Sequence, residues 1–294
     1  MRLPCAKPLA FIVTGLTFLK PGLTNIQFDN MTLVATALVL GSGFNLSRIS
    51  RMWLEDKVVS TLSYFLSDAK FSVPELQLLY AKRIQQVYDI QPGYFCIDDT
   101  MKHHSKFCKW IHGVFVLFDH ALGTNLKATC IVFLYYSDGS LIKFPIAFRI
   151  FYQQTSKMPW QRGQQRQYKT KYDLATQMLQ WALQVGFPKS IVLADSWFCV
   201  GPFIKDLKRL GLSYVIEVKS NYTVRVASKQ PKLTPKGRLA KRQYDQVSLP
   251  EFFKSLRSVA KYGFAADKKT GKVQKVLYHT KIKTLRLNSI VGKH

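Results

Sequence analysis

Ile191-Val192-Leu193-Ala194-Asp195-Ser196-Trp197-Phe198 is an apolar run that stops abruptly on a carboxylate. Four apolar residues before an acid predict a buried strand whose carboxyl end presents Asp195 at the edge of a sheet, where open α/β folds place their sites. Tyr94-Phe95-Cys96-Ile97 repeats the pattern: after the turn signal Gln91-Pro92-Gly93, a short apolar strand runs out onto Asp98-Asp99-Thr100. If the two strands lie side by side, their acids converge on one spot and would hold a divalent metal ion. Paired carboxylates on a hard, oxygen-liganded cation are what phosphoryl-transfer chemistry uses. A single acid at a strand end is more often a helix cap or turn former. Two in this order, in a chain short of acids, reverse that preference.

Outward from these strands the order of elements follows. Gly113 to Phe118, Leu126 to Tyr136 and Leu141 to Ile150 are β-rich, and Ser137-Asp138-Gly139-Ser140 is a hairpin signal, so this region predicts an antiparallel meander. Tyr172 to Val185 is apolar at Leu174, Met178, Leu179, Ala182 and Val185, which is helical spacing. The strand Ile191 to Ala194, a helix from Pro202 to Leu210 and a strand from Tyr214 to Val218 complete the series. Three strands, helix, strand, helix, strand is an RNase H-like order, with acids at the ends of the first and fourth strands. The fold class is therefore mixed α+β or α/β, a three-stranded antiparallel meander extended by α/β units. Before it, residues 1–90 predict helices: an apolar one over Met31 to Leu40 stopped by Gly41-Ser42-Gly43, one opened by Asn45, and one over Asp68 to Tyr80 with Pro74 in its first turn. This predicts a helical N-terminal region over 1–90, a catalytic core over 91–222 and a basic, β-rich insertion over 223–294.

Charge narrows the function. Against 43 Lys and Arg the chain has only 17 Asp and Glu, a formal charge of +26 in 294 residues. A globular chain this basic needs a polyanion, and nucleic acid fits best. From Arg225 to His294 there are eighteen Lys and Arg against Asp245, Glu251 and Asp267, a net of about +15. Short β-like pieces, Val273 to Tyr278 and Ile282 to Leu287 among them, make this a strand-rich insertion, and so few compensating acids favour a phosphate-tracking surface over a merely solvated one. A membrane surface is the rival partner, but the sequence has no helix with a clean basic face and no apolar span of bilayer length. Five scattered cysteines without a C-x-x-C spacing suit reduced thiols. Pro4, Lys7 and Pro8 argue against a signal peptide, so the expected location is cytoplasmic, on the nucleoid if bacterial.

Ile97-Asp98-Asp99-Thr100, Leu193-Ala194-Asp195-Ser196-Trp197-Phe198 and Tyr214-Val215-Ile216-Glu217-Val218-Lys219-Ser220-Asn221 together resemble the core of insertion-sequence transposases of the DDE type, over roughly residues 30–290. The resemblance implies a DNA enzyme with two divalent ions, Mg²⁺ or Mn²⁺, held between Asp98, Asp99 and Asp195, that cleaves DNA ends and transfers strands. The family's Asp-x-Thr pattern selects Asp98 as first ligand, with Asp99 still open because neighbours on a strand face opposite ways. Its partners would be double-stranded transposon ends and target DNA, bound by a homodimer in a synaptic complex. Trp197, Arg162, Arg166, Lys219, Asn221, Arg238, Lys241 and Arg242 are the candidate nucleic-acid contacts. The family's third ligand is a Glu on a helix after the insertion. Nothing after Leu287 provides it, and neither Glu217 nor Glu251 is a ready replacement, so the expectation is a truncated copy.

Two other functions compete: a non-catalytic DNA-binding remnant, and an RNase H-fold nuclease that cuts without joining. His103, His104, Cys108 and His112 cluster in sequence but match no common zinc spacing, and a basic loop facing DNA is the better account. Trp160 could stack on bases, whereas Trp53 reads as core. No P-loop or dinucleotide fingerprint is present, which leaves nucleotide hydrolysis and hydride transfer without support.

Overall fold

Side-chain caps set where three of the N-terminal helices begin. The structure, a computed structural model, describes residues 7–41, 45–53, 59–108, 111, 113–119, 121–153, 168–219, 221–227, 235, 244–255, 261–266 and 273–278. It divides into two units, Met1–Gly93 with Phe133–Phe148 and Met178–Lys189, and Tyr94–Val132 with Arg149–Gln177 and Ser190–His294.

The first unit holds α1 (Ala10–Leu16), α2 (Asn25–Val39), α3 (Leu46–Ser50), α4 (Val59–Ser67) and α5 (Val73–Val87). Thr24 and Gln27 form a reciprocal capping box at the start of α2, with bonds of 3.2 and 2.9 Å. Asn45 caps α3 through the Arg48 N–H, and Ser72 caps α5, where Pro74 sits in the first turn and its missing N–H leaves no bond unmade. Leu33, Val34, Ala37, Ile49, Trp53 and Leu62 form one buried cluster, so Trp53 is core as its sequence context suggests. Truncating Leu62 there would cost about 2–5 kcal/mol. Tyr136 is buried in the same unit, donates its hydroxyl to the Gln91 carbonyl and packs against Phe144 and Phe187, with ring centroids 5.5 and 6.0 Å away.

The main sheet contains β1 (Tyr94–His103), β2 (Val114–Asp119), β3 (Thr124–Ser137), β4 (Lys143–Phe151), β5 (Ile191–Ala194) and β6 (Tyr214–Ile216), with helices α6 (Lys171–Val185) and α7 (Gly201–Leu210). Strands β3 and β4 and helix α6 belong in part to each unit. The strand order is β2-β3-β1-β5-β6, with β4 also paired to β3. Strand β5 lies parallel to both β1 and β6, and β2 is antiparallel to β3. Helix α7 seats Phe203 and Leu207, both fully buried, and Phe203 meets Phe198 at 5.8 Å. It ends on Gly211, whose φ of 68° is the left-handed conformation a helix stop needs, and the Leu212 N–H closes the stop on the Leu207 carbonyl. The basic region contributes two antiparallel pairs, β7 (Thr223–Ala227) with β8 (Tyr244–Ser248), and β9 (Lys261–Ala266) with β10 (Val273–Tyr278). Between them, α8 (Leu249–Ser255) opens on a Ser248–Glu251 cap, so Glu251 is a first-turn acid.

The mixed α+β class is as expected, but two details differ. All four β-rich runs before α6 are strands, one more than the three-strand order counts, and Asp119 closes the turn from β2 into β3: its Oδ1 accepts the N–H groups of Ala121 and Leu122, and Gly123 takes φ 64°. Asp98 and Asp99 also lie inside β1 rather than at its end, since β1 continues to His103. What ends near them is the ladder to β5, whose last pair is Ile97 with Ala194. No helix among the described residues is long and apolar enough to cross a membrane.

Candidate active site

The register of three parallel strands decides which acids meet. Ile97 pairs with Ala194 and Ala194 with Ile216, so the next residues, Asp98, Asp195 and Glu217, form a row at the carboxyl edge of the sheet. Side chains alternate along a strand and partners in a parallel pair project to the same side. Cys96 and Leu193 share one side and Ile97 and Ala194 the other, so alternation carried one residue past the ladder would return Asp98 and Asp195 to the first. Asp99 falls with Phe95 and Ile97, both buried.

Asp99 has company there. Its Oδ2 accepts the Lys171 ammonium at 2.8 Å and the Cys130 thiol at 3.2 Å. Lys171 is fixed by its position in the first turn of α6, where Thr170 and Asp173 cap one another. The ammonium also lies 5.1 Å from the centre of the Trp197 ring, and the Lys219 ammonium lies 4.8 Å from the same ring. Trp197 is held in turn by Asp195, whose Oδ1 accepts its backbone N–H at 3.1 Å and starts the single 3-10 turn Ser196–Phe198. Asp195 is thus a turn cap, the commoner use of such an acid, and a neighbour of the β1 acids as well. Asp98 accepts the Asp99 N–H at 2.8 Å. Among the described residues neither Asp98 nor Asp195 has an ion pair.

These contacts set the charge states. Burial pushes the Asp195 carboxyl above its ordinary value, and the charges of Asp99 and Asp98 push the same way, against the N–H groups of Trp197 and Phe198. Burial works against the Lys171 ammonium, but its bond to Asp99 and the surrounding negative partners outweigh it and hold its pKa above the ordinary value. The Cys130 thiol is pushed up to about 12, chiefly by burial, and so is a neutral donor to Asp99.

Among the described residues no group of three or more His, Cys, Asp and Glu is arranged to hold a metal ion. The donor set still suits a small hard cation, since Mg²⁺ is commonly bound by one or two carboxylates and completed by water and substrate phosphates. Asp98 is exposed and Asp195 follows the last pair of the same ladder, so the two would offer such a pair of oxygen ligands.

Of the candidate nucleic-acid contacts, Trp197 is 48% exposed beside the acids, Lys219 stands over its ring and Asn221 is exposed shortly after β6. Arg162, Arg166, Arg238, Lys241 and Arg242 lie outside the described residues, as do Trp160 and His112. His103 pairs with Asp119 at 2.7 Å, the His104 ring bonds Thr129, and the Cys108 carbonyl accepts from Lys127. Those partners are structural and leave no histidine-cysteine cluster among the described residues. Lys171 is the site residue that the sequence reading missed. Its signal was a cation in a first helical turn, where the helix dipole disfavours positive charge and a tertiary acid is the usual compensation.

The chain is 26% identical over 177 residues to a probable transposase for insertion sequence element IS701 from Microchaete diplosiphon, covering 58% of this chain and 43% of that one. A cryo-EM structure of a piggyBac transposase synaptic complex with hairpin DNA matches 86% of this chain and 50% of its own at 14% identity, with a TM-score of 0.35, too distant for any inference about fold. The chain therefore spans about half the length of either relative. The model of the DDE superfamily endonucleases matches residues 31–277, most of the sequence, and the chain belongs to that family.

Proposed function

We propose that the chain cleaves DNA at the ends of an insertion sequence and joins the freed ends to target DNA, on an RNase H-like core. The observation that carries this reading is the register row that sets Asp98 beside Asp195 on parallel strands, in a chain of charge +26. When bound, Mg²⁺ or Mn²⁺, as a two-ion site, supplies Lewis acidity and an activated oxygen nucleophile. Asp195 and one carboxylate of the Asp98/Asp99 pair would supply the hard oxygen ligands. Trp197 offers a stacking face to an unpaired base at the cut end, which is the usual role of an exposed aromatic flanked by cations. Lys219 and Asn221, with Arg162, Arg166, Arg238, Lys241 and Arg242, hold the phosphate backbone. Bringing two ends together calls for a homodimer, and the reaction locates the protein with the DNA, in the cytoplasm or on a nucleoid.

A supercoiled plasmid and an end-labelled duplex, incubated with the purified chain in Mg²⁺, Mn²⁺ or EDTA, test this reading. Nicking should need the metal and fall by about a hundredfold or more in D195N, beyond what the loss of a supporting hydrogen bond brings. Joined products separate a transposase from a nuclease. Cutting that survives both EDTA and D195N refutes the reading. A second reading, DNA binding without cleavage, draws on the lack of a three-ligand cluster among the described residues. It predicts salt-sensitive DNA retention with no metal-dependent product.

A further inference from the structure

The described acids of the site differ in what already occupies them. Asp99 and Lys171 are nearly out of solvent, at 16% and 13% side-chain exposure, with Nζ 2.8 Å from Oδ2. The Cys130 thiol takes the same oxygen at 3.2 Å. The rings of Phe151 and Trp197 stand 5.7 and 5.1 Å from the ammonium, so carboxylate, thiol and two aromatic faces surround one cation. Asp98 is exposed and is bonded to a single backbone N–H. Strand alternation carried one residue past the ladder would turn Asp98 toward the side of Asp195 and Asp99 toward the buried Phe95 and Ile97, although the charges of both acids reach Asp195.

We propose that Lys171 is a positioning residue: it claims Asp99 as its own counter-ion, leaves Asp98 as the β1 carboxylate that shares a metal ion with Asp195, and steadies the Trp197 ring beside them. An incoming ion could recruit Asp99 only by displacing an ammonium from a contact that water barely reaches. At Asp98, among the described residues, there is no cation to displace. Lys171 also neutralises a negative charge that would otherwise repel Asp195, so two neighbouring strands can each carry an acid here. This inference rests on the reading that the chain uses a divalent ion on DNA.

The test is Mn²⁺ binding to the full chain, followed by electron paramagnetic resonance, alongside nicking. D98N and D195N should each weaken Mn²⁺ binding by about tenfold or more. D99N and the neutral pair D99N/K171M should stay within about twofold of wild type. K171M should keep Mn²⁺ affinity but nick about ten- to a hundredfold more slowly with little change in KM for DNA, as a small misplacement beside the reacting groups does, and K171R should restore most of the rate. Far-UV circular dichroism shows which variants fold, and D99N/K171M covers the case in which D99N alone does not. Loss of Mn²⁺ binding in a folded D99N or D99N/K171M, retention of it in D98N, or parallel loss of affinity and nicking in K171M overturns the assignment while the metal reading stands. A wild-type chain that takes up no Mn²⁺ and nicks nothing overturns both.

Discussion

A double-mutant cycle on Lys171 and Asp99 tests the energetics of the site independently of any reaction. At 2.8 Å, two unit charges attract by about 6 kcal/mol at an effective dielectric of about 20. Both side chains are more than four-fifths shielded from solvent, and the dehydration each suffers on folding offsets a large part of that attraction. Replacing Lys171 by Met strands the Asp99 carboxylate with only a neutral thiol, a loss of about 3–5 kcal/mol. Replacing Asp99 by Asn strands the ammonium between two rings, which soften the loss toward the lower end of that range. The double variant, with two uncharged groups of similar size, should lose about 1 kcal/mol or less, so the two single losses exceed that of the double by a coupling of about 5–7 kcal/mol. Urea unfolding followed by circular dichroism measures all four proteins. Singles that each cost under about 0.5 kcal/mol would match a solvated surface pair and refute the enclosed geometry.

Three further outcomes follow from contacts elsewhere. In G93A the new Cβ would sit 2.3 Å from the Ser137 carbonyl oxygen, a backbone atom that cannot swing aside, so the melting temperature should drop in line with a loss of about 1–3 kcal/mol. W197A should weaken binding to single-stranded DNA by about 1–3 kcal/mol in a fluorescence anisotropy titration, and W197F should recover most of it. The Leu122 N–H, then that of Ala121 and the His103 ring, hold the Asp119 carboxyl below its ordinary value. A depressed folded pKa adds stability above the unfolded value that is lost as pH falls through the folded one. D119A should therefore melt below wild type at neutral pH, with the gap closing once pH drops below about 4.

The sequence makes the strand pairing legible because both apolar runs are uninterrupted and end on acids, a pattern few other arrangements satisfy. Asn45 and Gly211 announce a helix start and stop through side-chain chemistry that acts within a few residues. Strand β2 is legible as the run Gly113 to Phe118, but its turn into β3 stays hidden, because that turn depends on Asp119 folding back onto Ala121 and Leu122, and an Asp followed by His, Ala and Leu has no turn signature until Gly123. The length of β1 is hidden for a related reason. Asp98, Asp99 and Lys102 are polar, and only pairing to β3 keeps the backbone extended past the last apolar residue. The choice between Asp98 and Asp99 needs the tertiary position of Lys171, which is 72 residues from its partner. No local pattern encodes that distance.

On the proposed reading, Asp195 combines two duties that ordinary mutagenesis confounds. One oxygen, Oδ1, anchors the start of the 3-10 turn through the Trp197 amide, and that bond needs only an acceptor. An asparagine preserves the acceptor and removes the anion, whereas an alanine removes both. The two replacements therefore dissect architecture from ion affinity at a single side chain. Any difference between them in folding reports the anchor, and whatever defect they share reports the missing negative charge.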